Sequence, residues 1–91
     1  MTTFIKTYDT AQTDLAIITP ATGKSIYLWQ VIVKTDSNVK LDFATSGINI
    51  VDLTSAGEAG VMNVDKQGAV DESLTLNCGA GTTVKILYDE I

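Results

Sequence analysis

Lys24-Ser25-Ile26-Tyr27-Leu28-Trp29-Gln30-Val31-Ile32-Val33-Lys34-Thr35 is the stretch that decides the fold. It is dense in β-branched and aromatic residues, the composition that suits a pleated, half-buried strand. Nothing in it has a helical period, so it predicts one long strand. Split by parity, one face carries Tyr27, Trp29, Val31 and Val33 without a polar interruption. The other carries Ile26, Leu28, Gln30, Ile32 and Lys34. A sandwich strand needs one buried face, and the uninterrupted set is assigned to it. The mixed face then meets water with three large aliphatic side chains. Leaving each exposed forgoes roughly 1.5–3 kcal/mol and creates the kind of apolar patch that marks an interface.

Outward from this strand the pattern is alternation broken by turn residues. Asp36-Ser37-Asn38 is a tight-turn sequence, because short polar side chains bond their own backbone. Val39 to Phe43 is read as the returning hairpin partner, with Val39, Leu41 and Phe43 on one face and Lys40 and Asp42 on the other. Ile48 to Leu53 shifts its apolar phase between Ile50 and Val51, as a bulge or an edge buried on both sides does. Thr54 to Gly60 reads as a loop, Val61 to Asp65 as a weak strand, and Lys66 to Glu72 as a second loop. Ser73 to Cys78 turns Leu74, Leu76 and Cys78 inward. After Gly79-Ala80-Gly81, Thr82 to Ile91 is the last strand, with Val84, Ile86 and Tyr88 continuous and Lys85, Leu87, Asp89 and Ile91 mixed. Towards the N-terminus, Thr2 to Tyr8 is a strand with Phe4 and Tyr8 opposite Ile5. Leu15 to Thr19 is another, stopped by Pro20, and Asp9 to Leu15 has room for one helical turn.

About eight short strands in one domain spanning residues 1–91 predict an all-β fold, a compact antiparallel β-sandwich of the jelly-roll type. An immunoglobulin-like sandwich ranks second, lacking its cysteine pair, and a small closed barrel third. If the long strand and the last strand share a sheet, Ile26, Leu28, Gln30, Ile32 and Leu87 form the candidate subunit interface. The alternative is that a loop, or Asp9 to Thr13, folds over that patch within one chain.

Composition narrows the function. The 91 residues carry a net charge of −5, with no arginine or histidine and a single cysteine, Cys78. So short a chain has a limited core, and neither an intrachain disulfide nor a histidine–thiolate zinc site is available to supplement it. Self-association is the remaining supplement, and an efficient core of its own is the alternative. An acidic surface without arginine disfavours nucleic acid and anionic membranes. No apolar run approaches the roughly 20 residues of a membrane span, and Met1 to Lys6 lacks a signal-peptide pattern. Cytoplasmic synthesis of a soluble protein is the expectation.

No motif points to catalysis. Cys78-Gly79-Ala80-Gly81 is followed by strand, whereas a phosphate-binding glycine loop needs a helix N-terminus. Cys78 has no histidine to activate it and reads as a buried small hydrophobe. Asp71-Glu72 and Asp89-Glu90 do not face each other across a cleft as glycosidase acids do, and read as solvated charge. A weak cation set of Asp65, Asp71 and Glu72 is the alternative. Trp29 is placed in the core beside Val31 and Val33, and no sugar-stacking platform with Tyr27 is assigned.

Thr19-Pro20-Ala21-Thr22-Gly23-Lys24 leading into the long strand, Glu72-Ser73-Leu74-Thr75-Leu76 with its glycine turn, and Thr83-Val84-Lys85-Ile86-Leu87-Tyr88-Asp89-Glu90 resemble the small jelly-roll structural proteins of tailed-bacteriophage virions, of the capsid-decoration and head-fibre kind. That resemblance implies a non-enzymatic, self-assembling protein, commonly a homotrimer, that binds a capsid or other protein lattice, uses no cofactor and resides in the virion after assembly in the host cytoplasm. The alternative is a carbohydrate- or receptor-binding β-sandwich module.

Overall fold

The computed structural model describes residues 1–91, with every side chain except that of Met62. Eight strands are formed: β1 (Thr2–Tyr8), β2 (Gln12–Ile18), β3 (Ile26–Thr35), β4 (Val39–Phe43), β5 (Asn49–Leu53), β6 (Gly57–Gln67), β7 (Leu74–Cys78) and β8 (Thr82–Glu90). They lie in two four-stranded sheets, β1-β8-β3-β6 and β2-β7-β4-β5, and every pairing is antiparallel. The pairings β1·β8, β2·β7, β3·β6 and β4·β5 are nested one inside the next. The chain is thus a single doubled-back ribbon, closed at the β4–β5 turn and rolled so that its successive layers alternate between sheets. This is the jelly roll.

The inner faces follow the alternation of the sequence. Val39, Leu41 and Phe43 of β4, Leu74, Leu76 and Cys78 of β7, and Val84 and Ile86 of β8 are all buried. They join one core cluster that also takes Tyr8, Ile18 and Val51, with Phe4 and Tyr88 packed at its margin. The phase shift read at Ile50 is a register shift: Leu41 faces Val51 and Asp42 faces Asn49, which leaves Ile50 as the extra residue.

Several readings need correction. Asp36-Ser37-Asn38 does not close a hairpin, because β3 and β4 belong to different sheets. The turn instead carries the chain across the sandwich, held where Thr35 Oγ1 donates to the Asn38 carbonyl and accepts from the Ser37 amide, at 3.1 Å each. The segment with room for a helical turn runs into β2 instead, and the weak strand at Val61 to Asp65 is the middle of the eleven-residue β6, which takes Gly57 to Gly60 and Lys66 to Gln67 from the two stretches read as loops.

A further correction concerns β3 itself. Ile26 and Leu28, assigned to the outer interface, are fully buried at 0% exposure, as are Val31 and Val33. Residues of opposite parity share the core because β3 carries a bulge. Leu28 faces Tyr88 and Gln30 faces Leu87, so Trp29 is one residue too many for its partner strand. An extra residue reverses the alternation. The inward set is therefore Ile26, Leu28, Val31, Val33 and Thr35, and Trp29 is expelled from the core to which parity assigned it.

Candidate functional site

The bulge places two aromatic rings on the outside of the β1-β8-β3-β6 sheet. Tyr27 and Trp29 lie with ring centroids 4.7 Å apart and planes tilted by 59°. Each ring's polar atom is anchored to a carboxylate: Tyr27 Oη donates to Asp65 Oδ1 at 2.6 Å, and Trp29 Nε1 donates to Asp89 Oδ2 at 2.7 Å. Asp89 also accepts from the Met1 amino group at 2.9 Å.

Both carboxylates arrive by local backbone necessity. Asp89 faces Tyr27 directly across the β3–β8 ladder. Asp65 reaches Tyr27 because β6 places Asn63, Val64 and Asp65 between its pairings at Met62 and Lys66, opposite the single residue Trp29. Asn63 and Asp65 adopt φ of 55° and 49°, a left-handed conformation that Asn and Asp tolerate better than most residues. The two aspartates act oppositely on titration. The hydrogen bond to Asp65, reinforced by burial and the Asp65 charge, raises the Tyr27 phenol above its usual value. Hydrogen bonds from the Met1 amino group and from Trp29 lower the Asp89 carboxyl.

Around this pair the outer face mixes exposed apolar side chains with polar ones, Lys85 and Gln30 among them. Ile5 of β1 is 66% exposed, Ile32 of β3 38% and Trp29 37%. Ile5 and Ile32 lie in one cross-strand row through Lys85, while Gln30 and Leu87 pair in the next. Of the five residues read as an interface, Gln30, Ile32 and Leu87 are brought together here, while Ile26 and Leu28 lie beneath them. Ile5, Tyr27 and Trp29 join the surface instead. Asp9 to Thr13 leads into β2 of the opposite sheet and leaves this patch open.

Glu72, read as solvated, is only 3% exposed. Its Oε1 accepts from the Ala69 amide at 2.8 Å and from Ser46 Oγ at 3.0 Å. Its Oε2 accepts from the Thr45 amide at 2.5 Å and from the Ser46 amide. Burial opposes its ionisation, but these donors outweigh burial and lower its pKa. Glu72 therefore staples the β4–β5 turn to the segment after β6. The three acids weighed as a cation set are committed elsewhere: Asp65 to Tyr27, Asp71 to the Gly23 amide at 2.7 Å, and Glu72 to this staple. Among the described residues no three His, Cys, Asp or Glu side chains converge.

On the outer face of the β2-β7-β4-β5 sheet, an open depression of about 330 Å³ is lined by Asn38, Lys40, Asp52 and Asn77, among others. Cys78 is a buried free thiol. Among the described residues no helix is long and apolar enough to cross a membrane. No family model, curated protein or solved structure matches the chain.

Proposed function

We propose that this chain is a non-enzymatic assembly module, a virion structural protein of the capsid-decoration or fibre kind, working through the outer face of its β1-β8-β3-β6 sheet. The observation that carries this reading is the concentration of exposed apolar side chains, Ile5, Ile32 and Trp29, on that face. Fully burying an exposed side chain of this kind gains roughly 1.5–3 kcal/mol, of which Ile5 has most still to gain and Ile32 and Trp29 little over a third. The jelly roll supports it too, since this topology is common in viral capsid proteins. Light scattering is the direct test. A homo-oligomer at micromolar concentration that dissociates on Ile32→Lys is the expected result, and a monomeric parent at all accessible concentrations refutes self-assembly.

One observation favours a second reading, a carbohydrate-binding module. Tyr27 and Trp29 share an exposed surface with Asp65 and Asp89 beside them. Aromatic faces stack on sugar C–H groups, and carboxylates accept sugar hydroxyls. A glycan array with the parent and Trp29→Ala separates the two: glycan signal lost in the variant supports this reading, and no signal in the parent removes it.

A further inference from the structure

The sandwich has four edge strands, and they are not equally closed to a partner. An unpaired edge offers free N–H and C=O groups to any extended chain, and proteins blunt such edges with bulges, charges and short strands. The edge strand β2 shifts register twice and holds Asp14 at φ 47°. The edge strand β5 is five residues long with a register shift, and carries Asp52. The edge strand β6 is broken at Asn63 to Asp65 and carries Glu58 and Asp65. The edge strand β1 has only one of these devices, the charge of Lys6. It runs seven residues, Thr2 to Tyr8, in unbroken register with β8, without proline, glycine or a carboxylate.

We propose that the free edge of β1 pairs antiparallel with β1 of a second copy about a two-fold axis through Ile5, joining two sheets into one of eight strands. This rests on the self-assembly reading above and specifies its contact. The strand is complementary to itself in that register. Ile5 faces its own symmetry mate, Thr3 faces Thr7, and Phe4 faces Lys6. Threonine pairs and β-branched pairs are favourable cross-strand neighbours, and the only charged side chain, Lys6, meets an aromatic ring rather than another lysine. Ile5, the most exposed large hydrophobic side chain in any strand among the described residues, is covered by its own copy. In a chain of net charge −5, this is also the one edge where two copies meet without opposed carboxylates. An isologous contact of this kind builds dimers and even-numbered assemblies, in place of the trimer that the resemblance implies.

The test combines mass with placed cysteines and charges. The parent is expected to show the mass of two chains, or an even multiple. Directly opposed antiparallel residues have Cα atoms about 4.5–5.5 Å apart, within the range of roughly 4.4–6.8 Å that a disulfide spans. Ile5→Cys is therefore expected to give a covalent dimer on mild oxidation, without competition from buried Cys78. Lys85→Cys, one strand inward on the same row, is expected not to. Thr3→Lys with Thr7→Glu sets opposite charges across the axis and retains the dimer, whereas Thr3→Lys with Thr7→Lys halves the mass. A three-chain parent, cross-linking through Lys85→Cys but not Ile5→Cys, or identical masses for the two charge variants overturns edge pairing and leaves self-assembly by another face. A monomeric parent overturns both.

Discussion

Replacing Glu72 by glutamine removes one negative charge and one acceptor oxygen while keeping the side chain's shape. Its two oxygens accept four hydrogen bonds, three of them from backbone amides of Thr45, Ser46 and Ala69. Glutamine supplies one oxygen and one NH₂, so whichever way it is turned, at least one amide N–H faces a donor. At least one bond is lost outright, since with the NH₂ in the Oε1 position the Ser46 hydroxyl can turn to accept while the Ala69 amide cannot. Hydrogen bonds to a charged acceptor contribute about 1.5–3 kcal/mol each, and the surviving bonds lose their charge assistance, which puts Glu72→Gln at about 2–4 kcal/mol. For a domain of this size, about 3 kcal/mol lowers Tm by roughly 12–24 °C.

The sign with pH follows from the lowered pKa. Glu72 ionises more readily folded than unfolded, so its contribution is fully present above the ordinary glutamate value of 4.5 and is lost as pH falls through the folded value. Urea unfolding of parent and variant at pH 7 and pH 3, followed by Trp29 fluorescence, measures both effects. The gap between the two proteins is expected to be large at pH 7 and to shrink at pH 3. A gap under about 0.5 kcal/mol at pH 7, the scatter of ordinary surface substitutions, refutes the staple. A gap independent of pH refutes its ionic character.

Leu28→Ala is expected to cost about 2–5 kcal/mol as a buried large-to-small change, while Ile32→Ala on the outer face costs far less; the reverse order in denaturant unfolding would restore the unbulged parity. A Cβ on Gly79 would lie 2.0 Å from Ser37 Oγ and 2.7 Å from Ser37 Cβ. Gly79→Ala is therefore expected to destabilise by about 1–3 kcal/mol as overpacking does, and Ser37→Gly in the same chain to recover part of that loss in thermal unfolding. Ultraviolet titration should find Tyr27 ionising above the ordinary tyrosine value of 10.0, with Asp65→Asn bringing it down; an unchanged titration in the variant breaks the Tyr27–Asp65 assignment.

The number of strands and the inward sets of β4, β7 and β8 were legible because each of those strands has one continuous apolar face, while the phase shift at Ile50 marked an irregularity without deciding between a bulge and a doubly buried edge. Along β3 that contrast is missing. With Ile26 and Leu28 on one parity and Val31 and Val33 on the other, an unbroken strand and a bulged strand are equally apolar. Only the partner strands, which offer one residue where β3 has two, decide between them. The candidate site inherited that ambiguity, since Trp29 is either core or surface according to the bulge. Glu72 was illegible for a different reason: its donors are backbone amides of residues 45, 46 and 69, and a backbone amide leaves no mark on a sequence. Asp65 was hidden likewise by the irregular backbone that carries it.

The nested ribbon also orders folding in time. Only β4 and β5 pair as sequence neighbours, whereas β1 and β8 bring together opposite ends of the chain. Closing a longer loop costs more entropy, and non-local pairing slows folding. The roll is therefore expected to nucleate at the β4–β5 turn and to add its layers outward, with β1 last. Substitutions at Leu41 or Val51 should slow folding, whereas Phe4→Leu should chiefly speed unfolding; a chevron in which Phe4→Leu slows folding as much as Leu41→Val reverses that order. The carboxylate of Glu72 arrives later to fix the turn from which the winding began.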